Sequence, residues 1–231
     1  MKQDTIIIFD FGSQYTRLIS RRLREKNIFC DLVSPNIDRN FFKDRTIKGF
    51  ILSGGPNSVF DNDSPKIPNW IMNLDVPILG ICYGMQLIAQ EFNGNVEEAS
   101  NREYGNAILK IKKDSMLFNG IPPSNKVWMS HSDKIIKLPE NFTAVAETNN
   151  TFCAAFEYKN IYGVQFHPEV DNTNLGDEIL SNFAVNICGT KNDWTSQNFI
   201  QNSINQIKDE VGDRNVICAL SGGVDSSITA T

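Results

Sequence analysis

The sequence predicts an α/β fold whose doubly wound, largely parallel sheet carries antiparallel additions. One observation is the alternation of β-branched runs with helical periodicity from Thr5 to Phe92. Such alternation is typical of parallel strands joined by helices through right-handed crossovers. A second observation is a change of character between about Tyr104 and Phe166, where strand-like runs follow one another with short turn signals between them. Closely spaced strands of this kind predict antiparallel hairpins added to the sheet.

Each element follows from its local pattern. In the alternating part, four short apolar runs predict strands and two stretches of helical periodicity predict helices. The strands are Thr5–Phe9, Phe29–Val33, Gly49–Leu52 and Pro77–Ile81, and the helices are Tyr15–Lys26 and Met85–Phe92. The later strands are Ala107–Ile111, Lys126–Met129, Thr143–Glu147, Cys153–Tyr158 and Ile161–Phe166, followed by a helix over Leu175–Ile187.

The pattern is interrupted at residues 189–195, which begin with Gly189-Thr190 and predict a linker. We therefore expect one domain over residues 1–188 and the truncated beginning of another over residues 196–231. This last stretch combines an amphipathic helix, Ser196–Val211, with a strand, Asn215–Leu220, that leads into a glycine-rich loop.

The composition excludes several classes of protein. The net charge is −5, which argues against nucleic acid as a partner. The N-terminus has no signal-peptide pattern, and the apolar runs are far below the ~18 residues that span a bilayer. The five cysteines form no CxxC pair, which argues against a disulfide framework or a metal site. We expect a cytoplasmic protein that binds neither nucleic acid nor membranes.

The segment Gly80-Ile81-Cys82-Tyr83-Gly84 joins a predicted strand to a predicted helix. A nucleophile flanked by glycines at this position is typical of a nucleophile elbow, with Cys in place of Ser. Glycines allow the sharp turn, and the positive end of the helix dipole favours a thiolate. The alternative is that Cys82 is a small buried hydrophobic residue.

A thiolate nucleophile needs a base, and His167 follows the last predicted strand directly. Pro168 holds His167 in an extended conformation, so that the side chains of His167 and Glu169 lie on the same side. Glu169 can then orient the imidazole ring toward Cys82, in the arrangement of a nucleophile, a base and an orienting carboxylate. The alternative is a surface histidine beside a turn.

Acyl transfer also requires hydrogen-bond donors for the developing oxyanion. The backbone N–H of Tyr83, directly after Cys82, is one candidate. The N–H of Gly55, in Ser53-Gly54-Gly55-Pro56 at the end of a neighbouring strand, is the other. The alternative interpretation of Gly55 is a plain Gly-Pro turn.

Taken together, the Gly-x-Cys-x-Gly turn, the SGGP loop and the FHPE segment resemble the class I glutamine amidotransferase family. The resemblance implies attack on the side-chain amide of L-glutamine, a glutamyl thioester at Cys82 and release of ammonia, with no cofactor. Within the family, three stretches resemble the GMP synthase branch: Asp10–Thr16, Cys82–Gln86, and Ile187–Gly189 followed by Trp194-Thr195.

The same resemblance implies which residues recognise glutamine. Gln86 lies one helical turn beyond Cys82, and Ser130, His131 and Asp133 belong to a segment that the family places near the glutamine. The family usually has glycine at the position of Ser132, so this chain departs from the family pattern in the loop. The alternative for this segment is a turn at the end of a strand.

The last motif is the loop of residues 221–227, whose backbone N–H groups and hydroxyls can form an anion-binding nest. It lacks the lysine of the Walker pattern and resembles the pyrophosphate loop of ATP pyrophosphatases. The expected ATP-binding residues are Ser221, Gly222, Gly223, Val224, Asp225, Ser226 and Ser227.

The resemblance also implies a larger enzyme. The complete protein would be a homodimeric synthase that binds ATP, Mg²⁺ and XMP, in which a synthetase domain is the partner of the glutaminase domain. Two alternatives remain open, a catalytically silent regulatory homologue and a free-standing glutaminase subunit.

Overall fold

The computed structural model describes residues 3–230, without the side chains of residues 99–102, 202 and 206. Residues 1, 2 and 231, at the outer ends of the predicted domains, lie outside the described residues. The chain divides into two compact units between Asp193 and Trp194. This division lies within the stretch that the sequence predicts as a linker.

One sheet dominates the first unit. Its strands are β1 (Gln3–Phe9), β2 (Cys30–Val33), β3 (Arg45–Leu52), β4 (Ile78–Ile81), β5 (Asn95–Ile111), β6 (Ser124–Lys137), β7 (Thr143–Glu147), β8 (Ala155–Tyr158) and β9 (Ile161–Val164). Their order across the sheet is β2-β1-β3-β4-β9-β8-β7-β5-β6.

Helices flank the sheet in the first unit and make up the regular structure of the second. The α-helices are α1 (Thr16–Glu25), α2 (Tyr83–Glu91), α3 (Gly176–Ser181), α4 (Ser196–Val211) and α5 (Val224–Ala230). Short 3₁₀ turns occupy Arg39–Phe42, Ile71–Asn73 and Met116–Phe118, and a π-helical segment, Asn182–Ile187, continues α3. Within residues 3–230, none of the helices has both the length and the apolar character needed to cross a membrane.

The sheet has a parallel half and an antiparallel half. Strands β2, β1, β3, β4 and β9 pair in parallel. Strands β8, β7, β5 and β6 extend the sheet with antiparallel pairs. This arrangement confirms the predicted α/β fold. The carboxyl ends of β1, β3, β4 and β9 meet at one edge, where ligands bind in open sheets of this type.

Both faces of the parallel half are buried, as β1 shows. Ile6 and Ile8 belong to one core cluster, together with Ile19 of α1. Ile7 belongs to the other cluster, together with Ile88 of α2. Successive side chains of a strand point to opposite faces, so a continuous apolar run supplies two cores at once.

Two predicted strands are parts of longer ones. Ala107–Ile111 and Lys126–Met129 lie within β5 and β6, which pair from Asn95 with Lys137 to Lys110 with Ser124. Buried and less buried residues alternate along β6, which gives it the pattern of a strand with one face on the core. Many residues of its core face are polar, so an apolar run underestimates the strand's length.

The C-terminal part contains one confirmed helix and one wrong prediction. Helix α4 has the predicted bounds, and the Thr195 hydroxyl accepts a hydrogen bond from Asn198 N at 3.0 Å. Residues 215–220, all of which are described, form no strand, and Ile217 is 94% exposed. A strand needs a neighbour for its backbone groups, and the described residues supply none here.

Candidate active site

Cys82 lies in a strained turn between β4 and α2. Its backbone has φ 51° and ψ −106°, a conformation that is unfavourable for any residue with a Cβ. Two backbone hydrogen bonds hold the turn, from Cys82 N to Val164 O at 2.7 Å and from Gly84 N to Ser53 O at 3.1 Å. Because β4 lies between β3 and β9, both neighbouring strands fix the position of Cys82.

The glycines on either side of Cys82 are required by close backbone contacts. A Cβ on Gly80 would lie 2.6 Å from Met85 N, and a Cβ on Gly84 would lie 2.2 Å from Leu52 O. Real Cβ atoms do not approach backbone atoms this closely. A larger residue at either position would therefore force the backbone of the turn to shift.

His167 and Glu169 form a buried pair on the segment after β9. His167 Nδ1 lies 2.8 Å from Glu169 Oε1, and the Glu169 residue is 0% exposed. The His167 backbone is held at both ends, because its N–H donates to Trp128 O at 3.0 Å and its carbonyl accepts from the Thr173 hydroxyl at 2.6 Å. The second carboxylate oxygen of Glu169 has no hydrogen-bond partner among the described residues.

The environment raises the pKa of His167 well above its usual value of 6.5. Burial by itself lowers this pKa, but the charge of Glu169 and the interactions with Cys82 and Glu169 outweigh the effect of burial. The carboxylate of Glu169 therefore favours the protonated form of the imidazole.

The structure adds three neighbours of this pair that the sequence pattern does not reveal. The Tyr15 ring meets the His167 ring edge-on, with centroids 5.1 Å apart. A Cβ on Gly54 would lie 3.0 Å from His167 Cε1. Arg22 on α1 donates from Nε to the Glu169 carbonyl at 3.2 Å. These contacts join residues that are distant in sequence. Tyr15 and Gly54 lie in stretches that the sequence singles out, but no local pattern places them beside His167.

The two residues proposed to supply the oxyanion donors, Gly55 and Tyr83, pack against each other. A Cβ on Gly55 would be 3.1 Å from Tyr83 Cδ1 and 2.8 Å from Phe11 O, so Gly55 packs closely against Tyr83. Within residues 3–230, neither backbone N–H donates a hydrogen bond to another protein group.

The sulfur of Cys82 faces a group of buried amides. Cys82 Sγ lies 3.6 Å from Ser130 O and 3.6 Å from Gln165 Nε2. Gln86 Nε2 donates to Asp133 O at 2.8 Å and to Gln165 Oε1 at 3.3 Å. Gln165 is absent from the sequence-based site, although it lies two residues before His167, within the predicted strand Ile161–Phe166. Side chains at this spacing share a face, and this signal could have identified it.

His131 and Asp133 lie within β6 and not in a turn at the end of a strand. His131 Nδ1 is 3.0 Å from Asp133 O, and its Nε2 is 3.4 Å from Glu103 Oε2 on β5. The Asp133 carboxylate accepts a hydrogen bond from the Ser58 hydroxyl at 2.6 Å. Both side chains are thus held between β5, β6 and the loop after β3.

The loop of residues 221–227 lies in the second unit. The Ser221 and Ser226 hydroxyls lie 3.1 Å apart, and the Ser227 hydroxyl donates to Gly223 O at 2.9 Å. Gly222 has φ +79°, and Val224, Asp225 and the following residues begin α5. These hydroxyl hydrogen bonds connect residues of the loop with one another.

Comparison with known proteins identifies the family. The family model for glutamine amidotransferase class-I matches residues 7–187. The chain belongs to the class I glutamine amidotransferase family. All of the residues at the edge of the first unit described above lie within the matched range.

Solved structures of this family share the fold. A protein from Thermoplasma acidophilum, described as a subunit of a putative GMP synthase, is 32% identical, with a TM-score of 0.71, and the match covers 87% of this chain and 98% of that one. A glutamine amidotransferase from Thermotoga maritima is 20% identical, with a TM-score of 0.63 over 92% of this chain and 87% of that one. The latter likeness shows the fold alone.

Curated relatives of this amidotransferase are much longer. The glutamine-hydrolysing GMP synthase of Staphylococcus saprophyticus is 50% identical over 99% of this chain and 45% of its own length. That of Staphylococcus carnosus is 51% identical over the same shares. The chain spans about half the length of these relatives.

Proposed function

We propose that this chain hydrolyses the side-chain amide of L-glutamine to glutamate and ammonia, with Cys82 as nucleophile, His167 as acid and base, and Glu169 as orienting carboxylate. The observation that carries the proposal is the strained turn at Cys82 beside the buried His167–Glu169 pair. Strain of this kind persists where the surrounding structure holds a functional residue in place.

The geometry supports a two-step reaction. The Cys82 sulfur bonds to the amide carbon, and the carbonyl electrons move to the oxygen, where the N–H groups of Gly55 and Tyr83 donate. The C–N bond breaks and His167 supplies the proton with which nitrogen leaves as ammonia. Water then attacks the thioester, His167 takes its proton, and the C–S bond breaks to release glutamate.

The wider proposal is that this glutaminase forms part of a GMP synthase. Its support is the 50% identity to GMP synthases over 99% of the chain. Ammonia would pass to a synthetase domain that uses ATP and Mg²⁺ to aminate XMP, in a homodimeric enzyme. Residues 1–188 would be the glutaminase, 189–195 the linker and 196–231 the beginning of the synthetase domain. Its ATP loop would be residues 221–227, and Gln86, Ser130, His131 and Asp133 would recognise glutamine.

A second candidate is a glutaminase that docks on a separate synthetase. One observation favours it, because the chain covers 98% of the solved Thermoplasma acidophilum protein, which is described as one subunit of a putative GMP synthase. Formation of GMP when a separate ATP-binding protein is added, with XMP, ATP, Mg²⁺ and glutamine, would support this candidate.

Glutamate release from glutamine tests the proposed chemistry. We expect release by the native chain, loss of release in Cys82→Ala, and retention in the matched control Cys153→Ala, which removes another buried thiol. Equal release by the native chain and Cys82→Ala would contradict the assigned nucleophile. Absence of release by the native chain would contradict the proposal that this chain hydrolyses glutamine.

A further inference from the structure

Two buried amide side chains connect β6 to the sulfur of Cys82. Gln165 directly follows β9 and is 0% exposed, and Gln86 on α2 is 3% exposed. The backbone of Gln165 is itself fixed, because its N–H donates to Ala154 O at 2.9 Å. A buried amide with this many partners has a defined orientation.

The hydrogen bonds determine which end of Gln165 meets the sulfur. Gln86 Nε2 donates one bond to Asp133 O and a second to Gln165 Oε1. Since Gln165 accepts through its oxygen, its Nε2 is the end that points to Cys82 Sγ, at 3.6 Å. The Asp133 carbonyl and Gln86 thus fix the Gln165 amide with its N–H groups toward the sulfur.

The other close neighbour of the sulfur has the opposite character. Ser130 O, also 3.6 Å from Cys82 Sγ, can accept a hydrogen bond from a thiol but repels a thiolate. Gln165 Nε2 is a donor, and a hydrogen bond to a charged acceptor is stronger than one to a neutral acceptor. The contribution of Gln165 should therefore increase when Cys82 becomes a thiolate.

We propose that Gln165 donates a hydrogen bond to the Cys82 thiolate and so stabilises the nucleophile, with Gln86 and the Asp133 carbonyl holding its amide in the donating orientation. This inference rests on the proposed function, because it assigns Gln165 a role toward the proposed nucleophile. The same donor faces the sulfur when the thioester breaks and negative charge returns to it.

Alkylation by iodoacetamide tests this role without glutamine. Peptide mass spectrometry follows carboxamidomethylation of Cys82, and the exposed Cys218 of the same chain serves as internal reference. In Gln165→Leu we expect the Cys82 rate, relative to Cys218, to fall about tenfold near neutral pH. Gln165→Met, which keeps the side-chain length and has no N–H, gives the same test if Gln165→Leu does not fold.

A matched control separates loss of the donor from general loosening. Asn182 is another buried amide, which donates to the Leu117 and Asn119 carbonyls in a different part of the unit. Asn182→Leu removes comparable hydrogen bonds and should leave the Cys82 to Cys218 ratio unchanged. A fall in Asn182→Leu equal to that in Gln165→Leu would overturn the proposal.

The pH profile provides the decisive signature. If Gln165 stabilises the thiolate, the loss in Gln165→Leu should disappear at high pH, where the thiol ionises without help. A loss of equal size at every pH, or no loss at all, would overturn the proposal. A native chain that alkylates as expected but does not hydrolyse glutamine would contradict the proposed function and leave the role of Gln165 supported.

Discussion

Two glycine-containing loops, residues 80–84 and residues 221–227, look alike in sequence, since the pattern predicts that each joins a strand to a helix. In the structure they differ. Residues 80–84 lie between β4 and α2, where Cys82 N donates to Val164 O and Gly84 lies against Leu52 O. Residues 221–227 follow a segment that forms no strand, and the hydroxyls of Ser221 and Ser227 bond to groups of the loop itself.

The difference shows what makes a loop of this kind a site. The turn at Cys82 is held in an unfavourable conformation because the strands on both sides bind its backbone. The loop at Ser221 has the residue types for an anion nest, but the described residues of its unit include no neighbouring strand to fix them. A nucleophile requires fixed geometry, so the first loop carries the chemistry that we propose.

After the nucleophile itself, the proposed base His167 should make the largest contribution to glutamate release. His167→Ala should lower glutamate release by about 10³-fold, because no group would remain to carry the proton. Glu169→Gln keeps an oxygen near His167 Nδ1 and should lower glutamate release by a smaller factor. Steady-state kinetics of both variants measures this order. Release by His167→Ala within a few-fold of the native rate would contradict the proposal that His167 transfers protons for the nucleophile in residues 80–84.

Matched glycine substitutions compare the two loops directly. Gly84→Ala places a Cβ 2.2 Å from Leu52 O and should lower the free energy of unfolding by about 3 kcal/mol. In Gly223→Ala the new Cβ would lie near Ser221 Oγ alone, at 3.5 Å, and the free energy of unfolding should change by less than about 0.5 kcal/mol. Urea denaturation measures both. Equal effects would show that the two loops are held alike.

The raised pKa of His167 predicts how stability depends on pH. Burial opposes this rise, and the charge of Glu169 and the interactions with Cys82 and Glu169 outweigh it. The stabilisation is fully present below about pH 6.5, the unfolded value, and is lost as the pH rises through the raised value. We therefore expect the free energies of unfolding of the native chain and of His167→Gln, measured by urea denaturation at a series of pH values, to converge at high pH.

A stability difference between the native chain and His167→Gln that stayed constant from acid to alkaline pH would contradict the raised pKa of His167. Glu169→Gln, which removes the charge that raises the pKa, should move the convergence to lower pH.

The smallest expected effect concerns Arg22, which holds the Glu169 carbonyl and also pairs with Asp177 at 3.3 Å. Arg22→Gln should reduce glutamate release about fivefold, because the segment that carries His167 would be less well fixed. Its neighbour Arg21 is exposed and pairs with Glu25 at 2.8 Å within α1. Arg21→Gln is the matched control and should have no measurable effect in the same assay.

Much of the first unit is predictable from the sequence because its signals are local. The β-branched run Thr5–Phe9 is buried on both faces, and its strand forms where the pattern indicates. The Gly-x-Cys-x-Gly spacing indicates the turn at Cys82, and the proline after His167 indicates that Glu169 faces its ring. In each case a few consecutive residues determine the geometry.

The remaining features depend on groups far apart in sequence. The contact of Gln165 with Cys82 and that of Arg22 with Glu169 arise only when separate strands and helices meet. The predicted strand Asn215–Leu220 fails for the same reason, since a β-branched run becomes a strand only beside a partner. The pattern underestimates the lengths of strands β5 and β6 because polar residues on their core face interrupt the apolar runs.

The most direct test of the account is covalent labelling with a glutamine analogue that carries a chloroketone in place of the side-chain amide. We expect one adduct, on Cys82, which forms more slowly when glutamine is added and is absent in Cys82→Ala. The exposed Cys218 should remain unlabelled on the same time scale. Labelling of Cys218 first, with Cys82 unmodified and no protection by glutamine, would contradict the claim that the turn at Cys82 is a glutamine-directed nucleophile.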